Sequence, residues 1–309
     1  MPIAGVSLDA VLLVALGYSV GILSGLFGVG GGFLITPSLI FLGVPSLVAV
    51  GTGALQVVAA SVSGALRQWH QGNVDIKLGG FLIAGGLVGA ISGVQLQRLL
   101  KSIGQLDLFI SLIYVLLLGT IGSLMLIEGL SAWRGTARQG SVRPTRRAGQ
   151  HTLLQRLPLR TRFPTSKLYS SVIPPVLTGL LVGWLTAIMG VGGGFLLVPA
   201  LIYVIRVPTR TAMGTSAFQI IFVTAFSTLL QSTQNFNVDI VLAAPIIIGA
   251  VLGAQQGAVL GGRIKTEQLR MLMGLLVLLI GLRMGADLVR KPADLFSIEA
   301  GPIEILPDK

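Results

Sequence analysis

Apolar residues run along this chain in long blocks separated by short polar joints. The blocks fall at about 8–27, 33–43, 47–67, 78–97 and 106–127, then at about 172–189, 195–205, 211–231, 240–260 and 268–288. A helix crossing about 30 Å of hydrocarbon at about 1.5 Å per residue needs roughly 20 apolar residues, so most blocks suit a spanning helix. The second block of each set is short for a full crossing and begins directly after a glycine cluster, Gly28–Gly32 or Gly190–Gly194. Each Gly costs a helix about 1 kcal/mol relative to Ala, so the helix should break there. The pattern predicts an all-α polytopic membrane protein with a short broken or re-entrant helix after each cluster.

The two sets of blocks are copies of one unit. Gly28 to Pro37 reads GVGGGFLITP and Gly190 to Pro199 reads GVGGGFLLVP. Upstream, Gly17, Gly21 and Gly25 match Gly179, Gly183 and Ala187; downstream, Val44-Pro45 matches Val207-Pro208 and Gly51-Thr52 matches Gly214-Thr215. Gln56 matches Gln219, Asn73-Val74-Asp75-Ile76 matches Asn237-Val238-Asp239-Ile240, and Gly85, Gly89, Gly93 match Gly249, Gly253, Gly257. This divides the chain into a first transmembrane repeat (1–130), a linker (131–170), a second repeat (171–291) and an acidic tail (292–309). If each half crosses the membrane an odd number of times, the second sits upside down relative to the first; a parallel repeat would need an even number.

Composition agrees with the membrane reading. Of 309 residues, 53% are hydrophobic and 11% charged, and the mean hydropathy is +0.87. Soluble domains carry about 25% charged residues, so an ordinary soluble enzyme and a disordered chain are both excluded. The net charge of +11 suggests nucleic acid until its distribution is read. Nine basic residues and no acid lie between Ser131 and Ser170 (Arg134, Arg138, Arg143, Arg146, Arg147, Arg156, Arg160, Arg162, Lys167), and the rest of the chain has thirteen basic against eleven acidic. A basic loop of this kind belongs on the cytoplasmic face, against anionic headgroups of the lipid bilayer, and no aromatic interleaving argues for nucleic acid. With the loop inside, sixteen Lys and Arg fall on the cytoplasmic side and six outside, and both termini lie outside. No Lys or Arg precedes Arg67, so the first block reads as a retained membrane element and not a cleavable signal.

Cysteine is absent, which removes disulfides and thiolate chemistry. Neither HExxH, a paired intramembrane Asp nor a Cys/His ligand set occurs, and no Lys-Ser/Thr follows the glycine clusters as a phosphate-binding loop requires. The chain reads as a non-enzyme without a cofactor.

Chemistry centres on the repeated breaks. Non-helical backbone at membrane depth survives only buried in protein or lining a wet cavity, and breaks at matching places in two halves point to a transporter site. Amides at Gly30, Gly31, Gly32, Gly192, Gly193 and Gly194 are candidates to face a bound oxyanion; the plainer alternative is a tight turn between packed helices. Thr52 and Gln56 lie four apart on one helix face, as do Thr215 and Gln219, with Ser216 alongside. These neutral groups either hold oxygens of a substrate or make interhelical hydrogen bonds. The glycine stripes read as packing surfaces that also permit a homodimer, and Pro37 and Pro199 as structural. Arg67, His70 and Asp75 cluster after the third block, where a solvated loop is favoured over proton coupling by His70, and Arg283 is placed to snorkel.

The duplicated pattern G-x-x-x-G-x-x-x-x-x-G-x-G-G-G-F-L-x-x-P, each copy followed by a Gly-Thr helix and a Gly-rich helix, resembles the TauE/SafE family of sulfite and organosulfonate exporters. The likeness runs from about Val11 to Arg290; its one departure is Ala187 at the position of Gly25. It implies a bacterial or archaeal inner-membrane permease for small sulfur-containing anions such as sulfite or sulfoacetate, acting by alternating access. The family motifs fall on Gly28–Pro37 and Gly190–Pro199 and on the helices starting at Gly51 and Gly214. An oxyanion-selective channel and a membrane scaffold docking a partner on the basic loop are the rival readings.

Overall fold

The structure is a computed structural model that describes residues 3–5, 8–27, 31–136, 160–163, 165–166, 168–261 and 266–289. Most of the linker and the whole acidic tail therefore lie outside the described residues. Ten α-helices follow in order: α1 (Ala10–Phe27), α2 (Gly32–Phe41), α3 (Ser46–His70), α4 (Ile76–Ser102), α5 (Leu106–Thr136), α6 (Ile173–Met189), α7 (Gly194–Ala200), α8 (Thr209–Leu230), α9 (Ile240–Gly261) and α10 (Thr266–Val289). Among the described residues five helical stretches are long and apolar enough to cross a membrane: Ile76–Ser102, Leu106–Ile127, Arg210–Asn235, Ile240–Gly257 and Met271–Val289. The molecule is a multi-pass membrane protein. Many large apolar side chains on its outside, among them Leu116, Leu181, Leu229 and Val241, are exposed to the surroundings that lipid supplies.

One element departs from the all-helical expectation. The end of the linker forms an antiparallel hairpin, β1 (Arg160–Phe163) with β2 (Leu168–Ser171). It is held by Phe163, which is buried beside Leu78, Leu82 and Val182 and meets Phe81 edge-on at 6.3 Å.

Packing crosses between the halves. Helix α4 lies along α6: Gly85 meets Val176, Gly89 meets Leu180 and Trp184, and Gly93 meets Trp184 and Ala187, so residue numbers climb together and the two helices run parallel. Helix α9 lies along α1 in the same way, with Gly249 at Val14, Gly253 at Tyr18 and Gly257 at Ile22. Every one of these glycines faces neighbouring backbone, and a Cβ on it would collide with a carbonyl oxygen. Apolar burial cannot drive helices together in lipid, so backbone proximity and van der Waals contact must do it. The stripes are packing surfaces, as their spacing suggested.

Helices that match in sequence run in opposite senses. Along α5 and α10, Gly122 meets Leu278 while Gly129 meets Met271. Along α3 and α8, Gly51 meets Asn237 near one end while the rings of Trp69 and Phe218 lie 5.8 Å apart near the other.

Two buried carboxylates tie the halves together, which corrects the expectation that Asp75 sits in a solvated loop. Asp75 is 1% exposed and Asp239 fully buried. Asp75 caps α4 by accepting from Leu78 N–H at 3.1 Å, and its other oxygen accepts from Ser166 N–H and Oγ at 2.9 and 2.7 Å. Asp239 caps α9 by accepting from the Leu242 and Val241 N–H groups, and accepts from Ile3 and Ala4 N–H at 3.0 and 3.2 Å. Each carboxylate thus grips the segment that leads into the first helix of the other half. Burial pushes the Asp239 carboxyl upward, but the backbone N–H groups of Ile3, Leu242, Ala4 and Val241 together outweigh it and hold the carboxyl below its ordinary value.

A depressed native value contributes stability that is present above the unfolded-state ionisation, about pH 3.9, and is lost as pH falls through the native one. Asp239→Ala should destabilise the protein at neutral pH by about 0.5–2 kcal/mol, the usual cost of a lost cap. The gap from wild type should close on acidification, as read by apparent Tm in detergent. Gly89→Leu should cost about 1–3 kcal/mol or more by overpacking, seen as loss of the monodisperse peak in size-exclusion chromatography.

Candidate functional site

The second-half break is described in full. Helix α6 stops at Met189, and Gly190, Gly192 and Gly193 take φ of 68°, 76° and 71° before α7 begins. This left-handed backbone favours glycine, because a Cβ there crowds the following carbonyl. Gly193 already lies back against Val182 and Thr186 of α6, so the chain has reversed. In the first half Gly28 and Gly30 lie outside the described residues. Gly31 has φ 63° and sits beside Ser24 and Val20 of α1, so α2 doubles back in the same way. At each break the chain therefore turns back against the end of the helix before it as the short helix begins. After Pro199, whose missing N–H leaves a carbonyl of the preceding turn without its helical donor, α7 widens into a π-turn over Leu201–Ile205.

The two breaks meet. Gly32 packs against the carbonyl of Val191 and the side chain of Val57, and Gly192 packs against the same Val57. Beyond them the Phe33 and Phe195 rings, the matched residues of the two motifs, stack at 5.0 Å with 12° between planes. Gly190 touches the Val50 backbone, and Gly53 lies near the Gly190 carbonyl and the Thr36 hydroxyl. Gly32, Gly190 and Gly192 thus gather around one stretch of α3, Val50 to Val57, while Gly31 and Gly193 face the helices that precede them, α1 and α6. Gly194 opens α7 beside them.

Gln56 belongs to that stretch. It is 1% exposed, and neither its Nε2 nor its Oε1 has a partner. Its counterpart Gln219 on α8 is equally buried, with an unpartnered Oε1 and its amide nitrogen against Gly86 of α4. Thr186, one turn before the second break, is also buried with an unpartnered hydroxyl. An unsatisfied buried polar group costs about 1–3 kcal/mol, and its repetition at matched glutamines calls for a physical reason. Thr52 and Thr215 lie elsewhere in bonding terms: their hydroxyls accept from the backbone N–H of Asp239 at 3.2 Å and of Asp75 at 3.0 Å. Ser216 donates to the Met213 carbonyl at 3.0 Å. The Thr and Ser candidates hold backbone, whereas the glutamines have amide atoms to spare.

Three residues outside the sequence candidates secure the second break. Gln97 of α4 donates to the Ala187 and Ile188 carbonyls at 3.1 and 3.2 Å. Gln231 donates to Ala187 O and to Gln97 Oε1 at 2.9 and 2.8 Å, and the Tyr114 hydroxyl donates to Met189 O at 2.5 Å. The last carbonyls of a helix have no intrahelical partner, and these side chains supply one. Gln97 and Gln231 each close an apolar block among other polar residues, so nothing in the sequence singled them out. For Thr186 the signal was Ser24, the hydroxyl at the matching place in the first half. His70 is exposed, with Nδ1 2.8 Å from its own helix's Leu66 carbonyl, and Arg283 lies over the Phe41 ring at 4.4 Å.

A pair of converging helix breaks built on duplicated GVGGGF motifs is a distinctive arrangement, and it can be set beside known families. The family model described as "Sulfite exporter TauE/SafE" matches residues 13–284. The chain belongs to this family. Among curated TauE/SafE-like relatives, it is 27% identical over 280 residues to "Probable membrane transporter protein YunE" of Bacillus subtilis, covering 88% of this chain and 95% of the relative. It is 30% identical over 276 residues to a "Probable membrane transporter protein" of Xylella fastidiosa, covering 88% and 93%. An archaeal relative, "Probable membrane transporter protein MJ0441" of Methanocaldococcus jannaschii, is 26% identical over 291 residues. No solved structure matches the chain at a significant level. The family match covers both breaks, both glutamines and both capping aspartates.

Tyr114→Phe removes the donor to Met189 O and leaves a buried carbonyl at the break short of a partner. The expected cost is about 1–3 kcal/mol, read as a lower apparent Tm in detergent with monodispersity retained.

Proposed function

We propose that this TauE/SafE-family protein is a secondary transporter, an exporter, of small sulfur-containing oxyanions such as sulfite or an organosulfonate. Gln56 carries the reading: a fully buried amide with neither atom partnered, on the stretch of α3 where both breaks converge. A buried amide of this kind suits oxygens that arrive with a guest, and glycine backbone lets that guest come close.

Alternating access between two inverted halves is the mechanism we infer. It is supported by matched helices α3 with α8, and α5 with α10, lying antiparallel, since an operation that superposes such pairs must reverse the helix direction. In such folds, sites near the bilayer midplane are formed by discontinuous helices at the repeat interface. The charge asymmetry supports a cytoplasmic basic linker with both termini outside. Export of one negative charge from a compartment about 100 mV negative is favoured by about 2.3 kcal/mol, so the membrane potential alone can drive it.

The test is saturable uptake of labelled sulfite into proteoliposomes. The Gln56→Leu, Gln219→Leu double variant should keep the elution profile of wild type and lose at least about 90% of the flux, because the amide interactions a polar guest depends on, about 1–3 kcal/mol each, are gone. Undiminished flux in the double variant removes the glutamines from the site. Flux that never saturates and shows no exchange of labelled substrate indicates a channel.

A further inference from the structure

The neutrality of the site bears on the charge of its guest. Beside the breaks, the buried polar side chains with atoms to spare include Gln56, Thr36 and Thr186, and Gln219 has another on α8 against Gly86; all four are neutral. Among the described residues no Lys or Arg is buried. The buried carboxylates, Asp75 and Asp239, are engaged at helix starts by backbone N–H groups and Ser166. No fixed positive charge on the described side chains answers an anion there.

The cost of taking an ion out of water grows with the square of its charge, so a dianion costs about four times a monoanion of the same size. Attraction to fixed dipoles grows only with the first power. Amides and backbone N–H groups can therefore balance one charge where they fail with two. The free acceptors sharpen the choice. Whichever way its amide is turned, Gln56 presents one oxygen along with one nitrogen, and Gln219 Oε1 is unpartnered as well. Deprotonated sulfite has nothing to donate to them, whereas hydrogen sulfite adds an O–H; a sulfonate monoanion meets the charge limit without that extra bond.

We propose, resting on the transporter reading above, that the site selects singly charged oxyanions and excludes doubly charged ones. Sulfite then crosses as hydrogen sulfite, while sulfate and sulfoacetate, with two charges each, are rejected. The proton travels on the guest: it enters bound to one oxygen and is released to water when the anion re-equilibrates on the far side. No side chain needs to relay it, in keeping with an exposed His70 bonded to its own helix.

The experiment uses the full-length protein in proteoliposomes, with protein-free vesicles subtracted to remove leakage of dissolved sulfur dioxide. Saturable uptake at fixed total sulfite is measured across the pH range in which hydrogen sulfite loses its proton. The expected rate falls about tenfold per pH unit above that ionisation. Uptake of methanesulfonate, a monoanion throughout, should stay level and so report on titration of the protein itself. Sulfate and sulfoacetate in large excess should leave sulfite uptake unchanged. Sulfite uptake that is level or rising with pH overturns the proposal, as does inhibition by sulfate equal to that by methanesulfonate; either result leaves the transporter reading standing. Absence of saturable uptake for every one of these anions overturns the transporter reading and this proposal with it.

Discussion

A backbone polar group inside hydrocarbon has to find a partner within the protein, because lipid offers none. That constraint shapes the centre of this molecule. Breaking α6 at Met189 leaves carbonyls that a continuing helix would have covered, and Gln97, Gln231 and Tyr114 reach in from α4, the end of α8 and α5 to cover them. Around the turn itself, glycines permit both the left-handed backbone and the close packing against Val50 and Val57. Satisfying the backbone at the break thus requires four other helices to be in place, which makes the break a product of the whole fold.

One of the side chains that hold the second break has no counterpart in the other half. Gln97 lies four residues beyond Gly93, and the residue four beyond the matched Gly257 is Gly261, which has no side chain to offer. The Gln97 member of the clamp on α6 is therefore particular to one half, whereas Gln231 is matched in sequence by Gln68. The capping carboxylates show the opposite behaviour: Asp75 with Thr215 and Ser166, and Asp239 with Thr52 and the Ile3–Ala4 backbone, are the same device built twice. The capping device is duplicated, and the Gln97 amide is not.

Much of this was legible in the chain, for definite reasons. The GVGGGF clusters announced broken helices because glycine is costly in a helix wherever it stands, and repetition excluded accident. Gln56 and Gln219 stood out as matched amides in apolar blocks. The spacing that placed Thr52 with Gln56 on one face was sound geometry, but it could not show that the Asp239 backbone would occupy the threonine hydroxyl. Asp75 looked like a loop residue because its partner Ser166 lies 91 positions away, in the charged linker. Gln97 and Gln231, separated by 134 positions, likewise meet only through the fold. Local periodicity gave the helices and their breaks, while partnerships across the two halves needed coordinates.

The exchange of partners between halves, α1 lying in the groove of α9 and α4 in that of α6, has a consequence for biogenesis. When the ribosome has finished α1, the stripe of Gly17 and Gly21 has nothing to close on until α9 emerges, with most of the polypeptide still to be made. Helix α4 can close on α6 once Met189 is made, but α1 must wait in the bilayer without its glycine partner until the last spans emerge. A message truncated between the copies leaves both stripes open, so it should yield insertion without assembly, a substrate for membrane proteases.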